Sequence, residues 1–127
     1  MTNLILVALG GAFGASLRYL TSLLFKYFFY HSFIGTLFVN VLGCFLIGYM
    51  INTIQSKNLS EDVIRYFFII GLLGSYTTFS AFSFEVVDLF NNNQIFLSII
   101  YILLSVIICI IGAYLGLNFE KILNWKK

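Results

Sequence analysis

The stretch Gly71-Leu-Leu-Gly-Ser-Tyr-Thr-Thr-Phe-Ser-Ala-Phe-Ser-Phe-Glu85 sets two glycines, five hydroxyl residues besides Tyr76, and the pair Phe79 and Phe82 inside an otherwise hydrophobic run. Polar groups at membrane depth are expensive, which makes them a functional signal by default. Irregular backbone survives there only where protein or water satisfies it. A span that carries this stretch is therefore expected to break near Gly74 to Thr78, leaving carbonyls free to ligate a hard cation such as Na⁺.

The composition decides which solvent surrounds it. Hydrophobic residues make up 61% of the 127-residue chain and charged residues 9%, against about 25% charged in a soluble domain. A chain this short cannot bury so much apolar surface from water, so the solvent is lipid. The net charge of +2 is too small for a nucleic-acid surface. Proline is absent, so backbone breaks and close approaches fall to glycine.

Charged residues punctuate the rest of the sequence, and the gaps between them hold four stretches long enough to span a bilayer, near 3–25, 33–54, 64–88 and 95–118. The connections are short, which makes successive helices antiparallel neighbours in one all-α integral membrane domain covering 1–127. Ser60 followed by Glu61 and Asp62 has the pattern of a helix N-cap with acids in its first turn. Lys57, Lys121, Lys126 and Lys127 fall on one side and Lys26 on the other, which places the termini in the cytoplasm by the positive-inside rule. The N-terminus lacks a basic region before its apolar run and no Ala-x-Ala site follows, so the first helix is expected to remain.

Three other stretches carry polar groups at helical spacing. Gly10, Gly14 and Arg18 recur every four residues. The glycines admit a close helix neighbour, while Arg18 must snorkel, pair or face water, and in the last case it sets a positive potential at the mouth of an anion route. Thr36, Asn40 and Gly43 form a stripe on the second span, where an amide bonds a neighbouring helix or donates to an anion. Ser98, Tyr101, Ser105 and Cys109 share a face of the fourth span, although serine there can also bond its own i−4 carbonyl. Phe79 and Phe82 pack as core or turn ring edges, which carry partial positive charge, toward an anion. Cys44 and Cys109 read as free packing thiols, with no CxxC or Cys/His cluster for metal. His31 is a lone loop histidine, Glu85 and Asp88 lie near the expected end of the third span as ordinary solvated carboxylates, and no HExxH, P-loop or GxGxxG occurs, so no catalysis is expected.

Over nearly its whole length the chain resembles the Fluc (CrcB) fluoride channel family. The resemblance rests on Gly10-Gly-Ala-Phe-Gly-Ala-Ser-Leu-Arg-Tyr19, on Gly35-Thr-Leu-Phe-Val-Asn-Val-Leu-Gly43, and above all on the stretch from Gly71 to Glu85. It implies an antiparallel dimer of four-helix subunits in a prokaryotic inner membrane, with two fluoride pores and a central structural Na⁺ held by backbone carbonyls. Residue by residue, it carries the Na⁺ to Gly74 and Thr77, the aromatic contact to Phe79 and Phe82, the pore asparagine to Asn40, and the polar track to Tyr101 and Ser105, with Cys109 one turn further. A fluoride pore must replace water with donors such as Asn40, Ser105 and Thr78 and with ring edges, and chloride would fit such a pore poorly.

Three positions depart from the family pattern. Cys109 stands where a hydroxyl is common, Ser75 follows Gly74 where a second glycine is usual, and Ala81 separates the phenylalanines in place of threonine. The lysine bias suits a subunit that pairs with an oppositely inserted paralogue, so the expected partner is a second copy or such a paralogue. Two other classes compete. A small multidrug-type exporter needs a carboxylate in its first span, where this chain has Arg18; a non-transporting assembly subunit would need only the glycine faces.

Overall fold

The computed structural model of the chain describes residues 1–29, 32–57 and 62–124, the side chains of 56, 57 and 124 excepted. The expectations for His31, for the Ser60 cap with Glu61, and for the side chains of Lys57, Lys126 and Lys127 lie outside the described residues. Among the described residues four helical stretches are long and apolar enough to cross a membrane: Thr2–Phe28, Ser32–Gln55, Val63–Asn91 and Ile95–Leu117. Lipid offers no partner for backbone N–H and C=O groups, so runs of Leu, Ile, Val and Phe must satisfy them within a helix. The chain is an all-α membrane protein.

Helix α1 (Thr2–Phe28) ends where Phe29 turns extended, with Lys26 in its last turn, where a cation complements the helix dipole. Helix α2 spans Ser32–Lys57. The third span is composite. Its first part, α3 (Val63–Leu73), is wound as a π-helix, with i→i+5 bonds and a wider turn than an α-helix. A single turn, Gly74–Tyr76, follows; Thr77 (φ −74°, ψ 154°) and Thr78 (φ −149°, ψ 122°) are extended, and helix α4 (Phe79–Asn91) begins after them. Helix α5 (Ile95–Leu117) and a short α6 (Phe119–Asn124) complete the chain. Asn93 makes the α4–α5 turn at φ 59°, a conformation asparagine tolerates.

The break thus sits at Thr77 and Thr78, and Gly74 itself is helical at φ −62°, ψ −31°. Two consecutive β-branched residues are at ease in extended backbone.

Glycine sets the packing. A Cβ on Gly10 would meet the Phe67 carbonyl and one on Gly14 the Leu72 carbonyl, so α1 lies backbone against backbone on α3. On the other side of the subunit, Gly48 faces the Ala113 carbonyl and Gly116 the Phe45 carbonyl, which joins α2 to α5 in the same way. Phe82, Leu89 and Tyr101 form the buried apolar cluster between α4 and α5. These contacts hold the broken third span between α1 on one side and the α2–α5 pair on the other.

Candidate functional site

The break has its own hydrogen-bond set. In a continuous helix the Thr78 N–H would bond the Gly74 carbonyl. Here it donates to Asn40 Oδ1 at 2.7 Å, and Asn40 Nδ2 donates back to the Thr78 carbonyl at 2.9 Å. Asn40 therefore satisfies both backbone groups of Thr78 from across the subunit and keeps one amide hydrogen in hand. Thr78 Oγ1 accepts from Ala81 N at 3.2 Å, capping α4, and lies 3.1 Å from Ser80 Oγ. Thr77 N and Thr77 Oγ1 both donate to the Leu73 carbonyl. Gly43 leaves room for the Thr77 methyl, which a Cβ at that position would strike.

A cavity of about 250 Å³ opens beside the break, on the side of α5. Six of the seven residues expected along a fluoride route line it: Asn40, Thr78, Phe79, Phe82, Ser105 and Cys109. Cys44, Thr77 and Val106 complete the wall. Ser105 Oγ is buried and has no hydrogen-bond partner among the described residues. The Tyr101 hydroxyl is a polar neighbour but falls outside hydrogen-bond geometry, and its own proton goes to Glu85. Phe79 and Phe82 stand with ring centroids 5.5 Å apart and interplanar angle 45°. They differ in setting, Phe82 being 8% exposed and Phe79 77%. One phenylalanine belongs to the subunit interior while the other stands out from it.

Tyr101, the seventh, is off the cavity wall. It stacks obliquely on Phe82 and Phe33, with centroids 5.2 Å away in each case, and donates its hydroxyl to Glu85 Oε2 at 2.8 Å. Thr36 Oγ1 donates to the other carboxylate oxygen, Oε1, also at 2.8 Å. Glu85, half-buried and within two turns of the end of α4, is thus held by two hydroxyls rather than by solvent alone. Because the span restarts at Phe79 and runs to Asn91, Glu85 falls in the body of α4, where α2 and α5 each present a hydroxyl to it. The two hydroxyl stripes, Thr36 on α2 and Tyr101 on α5, were the available signal, since both need an acceptor between them. Ser98 donates to the Val86 carbonyl at 3.1 Å and is a packing residue.

Arg18 reaches the break from the opposite side. Its Nη1 lies 3.5 Å from the Thr77 carbonyl, the outer limit of a hydrogen bond, and the side chain lines a second cavity of about 470 Å³ with Ser22, Thr36, Thr78 and Ser80. Thr78 touches both cavities. The Gly74 residue is exposed, and its carbonyl has lost its usual i+4 donor to Asn40.

The family model described as CrcB-like protein, Camphor Resistance (CrcB), matches residues 5–117. A protein of Flavobacterium psychrophilum named fluoride-specific ion channel FluC is 40% identical over 122 residues, covering 95% of this chain and 98% of the relative. One of the same name from Shewanella denitrificans is 46% identical over 117 residues, 91% of this chain and 94% of the relative. A third, from Rhizobium meliloti, is 42% identical over 118 residues, 92% and 94% respectively.

Proposed function

The chain belongs to the CrcB-like family, matching its model over residues 5–117, and we propose that it is a fluoride-selective channel that lets fluoride leave the cytoplasm and so lowers its concentration there. It is a multi-pass protein of a prokaryotic membrane and a channel rather than an enzyme. The observation that carries the mechanism is the buried, unpartnered Ser105 hydroxyl on one wall with the Asn40 amide and two phenylalanine rings. A hydroxyl left unpaired in an apolar site is costly, and a small anion is the natural acceptor for it.

Fluoride holds its water tightly, so a selective route must return hydrogen bonds of equal quality. Ser105 offers an O–H, Asn40 its second N–H, and Thr78 a hydroxyl already shared with Ser80. The edges of Phe79 and Phe82 add partial positive charge without a donor that could trap the ion. Cys109 extends the wall with a weaker donor, and Tyr101 acts through Phe82 and Glu85 rather than by touching the ion. Arg18, on the second cavity, raises the potential near Thr78 and enriches anions there.

Gly74, whose carbonyl has lost its i+4 donor, and Thr77, whose carbonyl is met only at the 3.5 Å limit by Arg18 Nη1, offer oxygen outside a regular helical ladder of the kind a hard cation takes. They are our proposed ligands for a structural Na⁺, which when bound would neutralise the carbonyl dipoles at the break. One chain supplies too few oxygens, so we assign the remainder to an antiparallel second subunit, a copy or a paralogue. Phe79, largely exposed here, would be covered by that subunit.

Fluoride efflux from liposomes holding the purified protein, followed with a fluoride electrode and with chloride as control, tests the proposal. Fast fluoride-selective efflux that Phe82→Ile abolishes supports it. An efflux that passes chloride equally well, or survives Phe82→Ile unchanged, would rule the assigned route out.

A further inference from the structure

Cys44 on α2 and Cys109 on α5 are both free thiols, both half-buried, and both on the wall of the cavity assigned above to the fluoride route. They lie close enough for the two groups to interact. The seam between their helices is rigid. Gly112, one turn beyond Cys109, packs against the Val41 carbonyl and the Phe45 nitrogen, the peptide that follows Cys44, and Gly116 and Gly48 extend that backbone contact. The backbone spacing between the two thiol-bearing turns is therefore fixed.

We infer that Cys44 and Cys109 form a two-thiol site for a soft monovalent metal cation, of the copper(I) or silver(I) kind, inside the fluoride route. Thiolate selects soft ions over the hard cations that prefer oxygen. Among the described residues no group of three or more His, Cys, Asp and Glu gathers anywhere, so zinc, which takes four such ligands, has no site here. Two thiols that line one cavity and lie close enough to interact suit an ion content with two ligands. On binding, two S–H bonds break, two S–metal bonds form and two protons leave to water. The bis-thiolate complex of a monovalent ion then carries one negative charge. That charge would stand within a cavity meant for an anion and oppose fluoride entry by repulsion as well as by bulk.

This inference places the metal in the channel of the proposed function, so its test separates the two. Silver(I), supplied as nitrate in chloride-free buffer, is titrated into the purified protein, and retained metal and released protons are counted. Fluoride efflux is measured in the same samples, each variant against its own rate without silver. The wild-type chain is expected to retain silver with proton release and to lose efflux, whereas Cys44→Ser and Cys109→Ser each retain none and keep their own rate. Equal retention in either single variant overturns the site, whether or not the protein conducts fluoride. Retention that needs both thiols but leaves efflux intact overturns the placement in the route.

Discussion

Asn40 and Thr78 are joined by a closed pair of hydrogen bonds, amide to carbonyl at 2.9 Å and backbone N–H to amide oxygen at 2.7 Å. A side chain on α2 thus takes the place of the missing helical bonds of the third span. Removing it orphans two backbone groups, at about 1–3 kcal/mol each where nothing replaces the lost partner. Asn40→Ala is expected to lower the unfolding temperature in detergent and to abolish efflux. Asn40→Asp keeps the acceptor for Thr78 N while bringing a negative charge to the cavity, so it should conduct far less than its residual stability would suggest. An Asn40→Ala protein as stable as wild type would show that the pair does not hold the break.

Ser105 and Ser98 sit on one face of α5 but differ in what they hold. Ser98 bonds the Val86 carbonyl, whereas Ser105 has no partner. Ser98→Ala is therefore expected to cost about 1 kcal/mol of stability with fluoride selectivity preserved, while Ser105→Ala costs little or nothing and lowers fluoride flux. Thermal unfolding and electrode traces on the same preparations separate the two. Equal flux in Ser105→Ala and wild type would remove this hydroxyl from the route.

Glu85 receives one hydroxyl from Thr36 and one from Tyr101. Hydrogen bonds to a charged acceptor contribute about 1.5–3 kcal/mol. Thr36→Val and Tyr101→Phe share that acceptor, so their effects should not add, with an interaction term of at least about 0.5 kcal/mol in a double-mutant cycle read by denaturation. Strict additivity would show that the carboxylate does not couple the two helices.

Glycine positions divide by what lies opposite. A methyl at Gly14 would collide with the Leu72 carbonyl, while one at Gly74 would find only the Ile69 carbonyl at 3.5 Å, an ordinary contact. Overpacking against backbone costs about 1–3 kcal/mol, so Gly14→Ala should impair folding. Gly74→Ala should leave the subunit folded and instead weaken association of subunits. Light scattering in detergent reads the second effect, and a Gly74→Ala protein with unchanged association would count against the exposed turn as the meeting point.

Sodium replacement addresses the proposed cation directly. Purification with a bulky organic cation in place of Na⁺ is expected to shift the protein from dimer toward monomer and to slow efflux, both restored by returning Na⁺. A dimer fraction and rate indifferent to Na⁺ would withdraw Gly74 and Thr77 as ligands.

Four spans, and their limits to within a few residues, were legible in the hydrophobic runs, because charge-free stretches of that length have few alternatives in lipid. A break in the third was legible from its crowd of hydroxyls, and the window expected for it, Gly74 to Thr78, contains the extended residues; which of the five would part was not legible. Glycine looked like the breaker, whereas the backbone parts at Thr77 and Thr78 because Asn40 offers it substitute bonds, and no local pattern tells which helix will face that asparagine. The π winding of Val63–Leu73 was likewise invisible. Glu85 was expected as an ordinary solvated carboxylate near the end of its span; it does lie within two turns of Asn91, and what the sequence did not show is that Thr36 and Tyr101 would both donate to it. Most of the cavity lining was readable, since polar residues at helical spacing in lipid have to face something other than lipid.

Main chain touches main chain at Gly10, Gly14, Gly48 and Gly116, and lipid supplies no apolar force to push helices together. Cohesion of the subunit therefore depends on a few missing methyl groups rather than on the identity of the many large side chains turned outward. The outer faces are thus free to be matched to bilayer thickness and lipid type without disturbing the geometry around Thr78.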